Sequence, residues 1–391
     1  MSEREVIIVG AGPAGAAAAA ALAARGHDVL LLDRQAFPRD KPCGDGVPPG
    51  TIEMLNDLGM AERIRGADFH PVRRIRLGSP WGRTWETGFA PKRSGAEFYI
   101  APRVRFDALV LEHARAAGAE FALANVRDLV IDADGRVRGV RVVEGSSPRE
   151  IRARVVVGAD GASSMVARGL RGHRRAPAAR GVAIRAYVDG LETLPDTVEF
   201  YFSRPFVPGY AWAFPLGART ANVGVIMPAE RFKRTGRTLR ELLDAFLAGA
   251  PVRERLASDA RVENAATWQL SYAPRRMRRA FDGALLVGDA GAFVDPLTGE
   301  GIHNALVSAR IAADTVHEAL ARGDTSYAAL SAYDARCEAA LGRILRRARR
   351  VERMVAAAPW ALEALFVVAS ANSARVQSLL NRMSTDFVVG N

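Results

Sequence analysis

The stretch Val6 to Asp33, VIIVGAGPAGAAAAAALAARGHDVLLLD, leaves this chain few ways to fold. Four consecutive apolar residues, Val6 to Val9, read as a buried strand. Gly10-x-Gly12-x-x-Gly15 then opens an Ala-rich helix, and a second apolar run, Val29 to Leu32, ends in Asp33. Strand, glycine turn, helix, strand and acid in that order make a dinucleotide-binding βαβ unit. Gly10 permits the tight turn, Gly12 lets backbone approach a pyrophosphate, and Gly15 lets the helix pack closely on the strand. The pyrophosphate meets the free N–H groups and the positive end of the helix. Asp33 follows Gly15 by 18 residues, close to the ~20-residue offset at which a carboxylate meets the ribose hydroxyls of such a cofactor.

The 391 residues suffice for two domains, or for one large domain with an insertion. A net charge of +11 invites a nucleic-acid reading. Against it, all but three of the 54 basic residues are arginine, spread along the chain with acids between them, and no nucleic-acid-binding pattern accompanies them. Two distant cysteines, Cys43 and Cys337, point to a reducing compartment without a disulfide framework. No apolar run reaches the roughly 18 residues that a spanning helix needs. The expectation is a cytoplasmic protein without a nucleic-acid partner, with peripheral membrane contact left open.

After Asp33 the Pro- and Gly-rich loop RQAFPRDKPCGDGVPPG leaves the carboxyl end of the second strand, where ligands sit in open α/β sheets. It can fold over the cofactor. A helix is expected over Ile52 to Ile64, short strands between 72 and 100, and an amphipathic helix from Arg103 to Ala117. Asp134-Gly135 marks a hairpin, and the buried strand Ile151 to Val157 breaks into a second glycine-rich turn, Gly158 to Ser163. Strand patterns dominate from 180 to 227, and a further strand is expected near Val262 to Trp268. A strand Ala284 to Val287 then leads into Gly288-Asp289 and a helix over Ile302 to Leu320.

The first glycine turn, Gly158-Ala159-Asp160-Gly161 and Gly288-Asp289-Ala290 together resemble the flavoprotein hydroxylase superfamily. Three stretches narrow the resemblance to the geranylgeranyl reductase family: Lys41-Pro42-Cys43-Gly44-Asp45-Gly46, Pro208-Gly209-Tyr210-x-Trp212-x-Phe214-Pro215, and Gly288-Asp289-Ala290 through Asp295-Pro296-Leu297-Thr298-Gly299-Glu300-Gly301-Ile302. Leu216 stands where these reductases often carry lysine, and the Trp-x-Trp-x-Ile-Pro motif of the related halogenases is absent. The resemblance implies an α/β fold: a Rossmann-like FAD-binding domain with an inserted antiparallel-sheet substrate domain and C-terminal helices. It divides the chain into an FAD-binding domain (1–72, 98–170, 278–325), a substrate-binding domain (73–97, 171–277) and a helical region (326–391).

By the same resemblance Gly288 and Asp289 contact FAD, and Arg103 lies on it. Ala14, Arg34, Gly44, Gly299, Gly301 and Ile302 join the cofactor set. The helix from Gly301 would aim its N-terminal partial charge at the flavin and stabilise its reduced form. Asp160 is read first as the cap of the following helix and second as a cofactor neighbour. Tyr210, Trp212 and Phe214 alternate along a strand and so share a face, either a substrate wall or plain core. Cys43 sits in the loop over the cofactor, as a proton donor or a shaper of the pocket; Tyr210 is the other candidate acid. The arginine run from Arg343 to Arg353 either meets a lipid headgroup or diphosphate or is a solvated helix face.

The activity so implied is reduction of C=C bonds in an apolar, isoprenoid-like substrate by hydride from reduced flavin. With one dinucleotide fingerprint, NAD(P)H has no domain of its own and binds transiently, or a protein electron donor replaces it. The alternatives are an FAD-dependent monooxygenase or dehydrogenase tailoring a specialised metabolite, and a membrane-surface protein holding FAD only structurally.

Overall fold

A computed structural model describes residues 3–89, 97–144, 147–171, 179–273 and 277–371. The fold is mixed α/β. Its first sheet runs in the order Ala284–Leu286, Ser147–Gly158, Arg4–Val9, Val29–Asp33, Glu120–Leu123, all parallel, with Ala280–Phe281 antiparallel at one edge. The unbroken apolar runs of these strands follow from burial on both faces. Alternate residues go to opposite sides. Val6, Ile8, Val29 and Leu31 pack with the helices Pro13–Ala23, Arg103–Ala116 and Ile302–Ala321. Ile7, Val9, Leu30 and Leu32 pack against Leu129, Val140 and Val142 of the meander Asn125–Ile131 and Val137–Glu144. Strand Ser147–Gly158 belongs to both structures: its first half pairs with the meander, its second half with Arg4–Val9.

The second sheet has seven strands, in the order Leu256–Tyr272, Ala179–Leu191, Thr220–Pro228, Tyr210–Pro215, Thr197–Tyr201, Arg74–Gly78, Thr84–Gly88. Only the pairing of Thr197–Tyr201 with Arg74–Gly78 is parallel. One face is covered by helix Leu239–Leu247, opened by a capping box between Thr238 and Glu241. Its Leu242, Leu243 and Phe246 pack on Val223, Val225 and Met227. The other face carries Tyr210, Trp212, Phe214 and Ile226. A small sheet of Gly46–Val47, Phe98–Ile100 and His70–Val72 carries the chain past this wall.

Two sequence expectations need revision. The helix over Ile52 to Ile64 is two helices, Pro49–Asp57 and Ala61–Arg65. Gly59 lies between them at φ +80°, a left-handed turn that stops a helix. The strand near Val262 to Trp268 is the middle of a 17-residue strand, Leu256–Tyr272, bent where Glu263 to Ala266 oppose Arg185 to Tyr187 with one residue extra. The C-terminal helices are Tyr327–Leu330, Ala332–Cys337, Arg343–Ala357 and Pro359–Ala371, the middle two joined by a wider turn over Glu338–Gly342. The remainder of the expected helical region, residues 372–391, lies outside the described residues. No described helix is long and apolar enough to cross a membrane.

Candidate active site

The first glycine turn is closed by contacts that only glycine allows. Gly10 has φ +101°, and a Cβ there would lie 2.4 Å from the Ala159 carbonyl oxygen. A Cβ on Gly15 would lie 1.8 Å from the Gly10 oxygen, so helix and turn are pressed together. Asp33 accepts from the Ala11 N–H at 2.8 Å and from the Gln35 N–H at 2.9 Å. The acid therefore fixes the turn as well as facing the cavity. Helix Pro13–Ala23 begins at Gly12 without a side-chain cap, which leaves its first N–H groups for a ligand.

A cavity of about 540 Å³ lies at these strand ends. Its lining joins Gly10, Gly12, Ala14, Asp33 and Arg34 to Cys43, Gly44, Arg103 and Asp160, and further to Gly288, Asp289, Gly299, Gly301 and Ile302. Tyr210, Trp212 and Phe214 line it too. Of the residues singled out from sequence, only Gly15 stands behind the surface. A second uncapped helix, Ile302–Ala321, starts at the same cavity from Gly301. Gly288, at φ +54°, brings its backbone so near the first turn that a Cβ would sit 3.0 Å from that of Ala14.

Cations are held around this cradle. Arg103 is buried and makes two hydrogen bonds to Asp107, 2.6 and 2.7 Å, and Arg39 donates to the same carboxylate at 3.1 Å. Lys41 is 3.6 Å from Asp289 and lies 5.3 Å from the centre of the Trp268 ring. Asp160 accepts from the Ser164 hydroxyl at 2.5 Å and from the Met165 and Val166 N–H groups, so it caps helix Met165–Leu170. Among the described residues the Nε atoms of Arg39 and Arg185, both buried and both on residues of the cavity lining, lack a hydrogen-bond partner. Two free helix N-termini, two unpartnered guanidinium nitrogens and a glycine cradle fit the pyrophosphate of FAD.

The aromatic wall is locked from behind. Successive ring centres of Tyr210, Trp212 and Phe214 are 6.2 and 6.3 Å apart, and Phe200 makes edge contacts with Tyr210 and Phe214. A Cβ on Gly224 would lie 2.2 Å from the Trp212 ring, and one on Gly44 would lie 3.0 Å from Phe214. Trp212 Nε1 donates to Asn222 Oδ1 at 2.9 Å. Asn222 Nδ2 donates to the Cys43 carbonyl at 2.7 Å and to Asp45 Oδ2 at 2.8 Å, and the Tyr187 hydroxyl donates to the same Asp45 oxygen at 2.8 Å. Asp45 is fully buried at φ +62°, and burial pushes its carboxyl up to about 6 against the pull of the Tyr187 and Asn222 hydrogen bonds. Burial also raises the Cys43 thiol, opposed chiefly by the nearby Arg103. The Tyr210 hydroxyl donates to the Thr298 carbonyl, and burial raises that phenol well above its usual range.

Sequence reasoning missed Arg39, Asp45, Tyr187, Arg185 and Asn222. Asp45 was inside a motif already quoted. Asn222 and Arg185 each interrupt an otherwise apolar strand pattern, and a polar side chain at such a position is a legible signal. Arg185 is buried and held by Asp40 at 2.6 and 2.8 Å.

Over residues 3–348 the sequence matches the family described as FAD binding domain, which places it among FAD-binding flavoproteins. A digeranylgeranylglycerophospholipid reductase of Methanoculleus marisnigri is 32% identical over 354 residues, 89% of this chain and 85% of that protein. A menaquinone reductase of Mycolicibacterium smegmatis is 33% identical over 332 residues, 79% of this chain and 75% of that protein. The crystal structure of a geranylgeranyl bacteriochlorophyll reductase-like protein from Thermoplasma acidophilum superposes with a TM-score of 0.83 at 26% identity, covering 95% of this chain and 92% of that one. The flavin-dependent brominase Bmp2, at 20% identity and a TM-score of 0.76 over 98% of this chain and 93% of its own, shares the fold. The chain belongs to the geranylgeranyl reductase family of FAD-dependent oxidoreductases.

Proposed function

We propose that this oxidoreductase saturates C=C bonds of an apolar, isoprenoid-like substrate, with Cys43 and Tyr210 as candidate acids. The observation that carries the reading is the wall of Tyr210, Trp212 and Phe214, which shares one cavity with the glycine cradle. A phospholipid with geranylgeranyl chains and a menaquinone, the substrates in the names of two relatives, have a polyprenyl chain in common. Aromatic and aliphatic side chains suit such a chain. FAD, bound by the two helix termini, Gly288 and Asp289, supplies hydride in its reduced form.

An isolated alkene is a poor hydride acceptor, so an acid must act early and water must be excluded. Cys43 fits this role through its high thiol pKa, which keeps its proton at neutral pH, and through its place in the loop over the cofactor. Tyr210 also keeps its proton, but that proton is engaged with Thr298. NAD(P)H or an electron-donor protein is the transient reductant. We assign residues 1–72, 98–170 and 278–325 to the cofactor unit, and 73–97 and 171–277 to the substrate unit. A lipid substrate would be met at a membrane surface by peripheral contact.

The test is anaerobic reduction of the yellow protein, followed by a phospholipid carrying geranylgeranyl chains. Flavin reoxidation without oxygen, with product heavier by two hydrogens for each bond reduced, is expected. Reoxidation only on admission of oxygen, with hydroxylated product, would replace this reading by the monooxygenase one.

A further inference from the structure

A second cavity, of about 920 Å³, lies between helix Arg343–Ala357 and the segment Met277–Arg279. We propose that it is an anion site that takes the phosphate or diphosphate group of an ester whose apolar chain starts along its floor. Six arginines line it: Arg278, Arg279, Arg346, Arg349, Arg350 and Arg353. Two acids do so, and both are engaged. Asp334 accepts from the Arg279 N–H at 2.9 Å, and Glu338 pairs with Arg346. Among the described residues Arg349, Arg350 and Arg353 have no ion-pair partner within hydrogen-bonding reach.

The four arginines of the helix fall at spacings of three and four, on adjoining stripes, so they repel one another. The floor adds to this cost. Arg279 is buried, donates to the Gly291 carbonyl at 2.7 Å and lies 4.1 Å from the centre of the Phe293 ring. Burial lowers its pKa. Burial also lowers that of half-buried Arg349, with Arg353 adding to the effect. Partly desolvated cations beside like charges are stabilised by an anion that reaches several of them. Phosphate oxygens match guanidinium forks, which is why arginine clusters select phosphate esters. Phe293, Leu341 and Leu345 make the floor apolar and set the other half of the ligand.

This site is separate from the flavin cavity. Val294 lines the first and Phe293 the second, so the two lie on opposite sides of one short segment. The inference does not depend on which reaction the first cavity catalyses. Loaded protein is needed for the test, because an empty flavin site would itself bind pyrophosphate.

Titration calorimetry on the flavin-loaded protein would use inorganic pyrophosphate and geranyl diphosphate. Sedimentation would use vesicles of phosphatidylcholine with and without phosphatidylglycerol. Tighter binding of geranyl diphosphate than of pyrophosphate assigns a soluble ester. Binding confined to phosphatidylglycerol vesicles assigns a lipid headgroup. Either affinity should fall about tenfold or more in the Arg349→Gln/Arg353→Gln variant. Equal binding by wild type and variant, or no binding to any probe, overturns the proposal. Phenylglyoxal labelling of the wild-type protein reads the same point without a variant: the bound probe must protect the 343–353 arginines, and unchanged labelling counts against the site.

Discussion

Asn222 and Asp45, far apart in sequence, meet through a 2.8 Å hydrogen bond from the amide to the carboxylate. The same amide donates to the Cys43 carbonyl, and its oxygen accepts from Trp212. One side chain thus ties the loop over the cofactor to the aromatic wall.

Replacing Asn222 by Leu leaves the Trp212 N–H without its acceptor and Asp45 with one donor fewer, all in buried surroundings. A loss of about 2–4 kcal/mol of unfolding free energy is expected. Urea denaturation measures it, and a change under about 0.5 kcal/mol would mean that the network does not hold the wall.

The Asp45 carboxyl titrates near about 6 in the folded chain, against 3.8 ordinarily. The folded state therefore holds this proton more tightly than the unfolded state. Asp45 stabilises the fold fully below its unfolded value, and that contribution is lost as pH rises through about 6. The difference in stability between wild type and Asp45→Asn should fall across this window and flatten above it. Parallel curves from pH ~4 to ~8 would sink the assignment.

Gly15→Ala places a methyl 1.8 Å from the Gly10 oxygen. The turn must open, and with it the pyrophosphate cradle. The variant should purify folded and colourless, with FAD affinity down by about 100-fold or more. Undiminished flavin content, read by absorbance per chain, would show that the turn tolerates the shift.

Cys43→Ala should keep its flavin and lose turnover by about 10²–10⁴-fold, the usual worth of a positioned acid. Unchanged turnover would leave Tyr210 as the acid. Iodoacetamide should react with Cys43 only above the ordinary thiol range of pH, since burial raises the thiol.

Away from the cavity, Arg255 makes two 3.0 Å bonds to buried Glu199, which also accepts from Tyr201 at 2.6 Å. Arg255→Ala leaves that carboxylate with the more distant Arg76, at 3.5 Å. A loss of about 3 kcal/mol is expected. The double variant with Glu199→Gln should recover part of it; a double variant no more stable than the single one would argue against an uncompensated charge as the cause.

The sequence by itself determined the first βαβ unit, the two later glycine turns and the aromatic strand, because each is written in contiguous residues. Gly10 to Gly15 must turn tightly, and residues at Tyr210, Trp212 and Phe214 must share a face in any strand. Tertiary structure decided what those pieces face. It brought Gly288 against Ala14, and set Asn222 behind Cys43 and Trp212. It buried Asp45 deeply enough to move its carboxyl, and gathered the arginines of helix Arg343–Ala357 around Arg279. Local spacing carries backbone conformation and facing, whereas burial, ion pairing and proton affinity depend on neighbours contributed by distant segments.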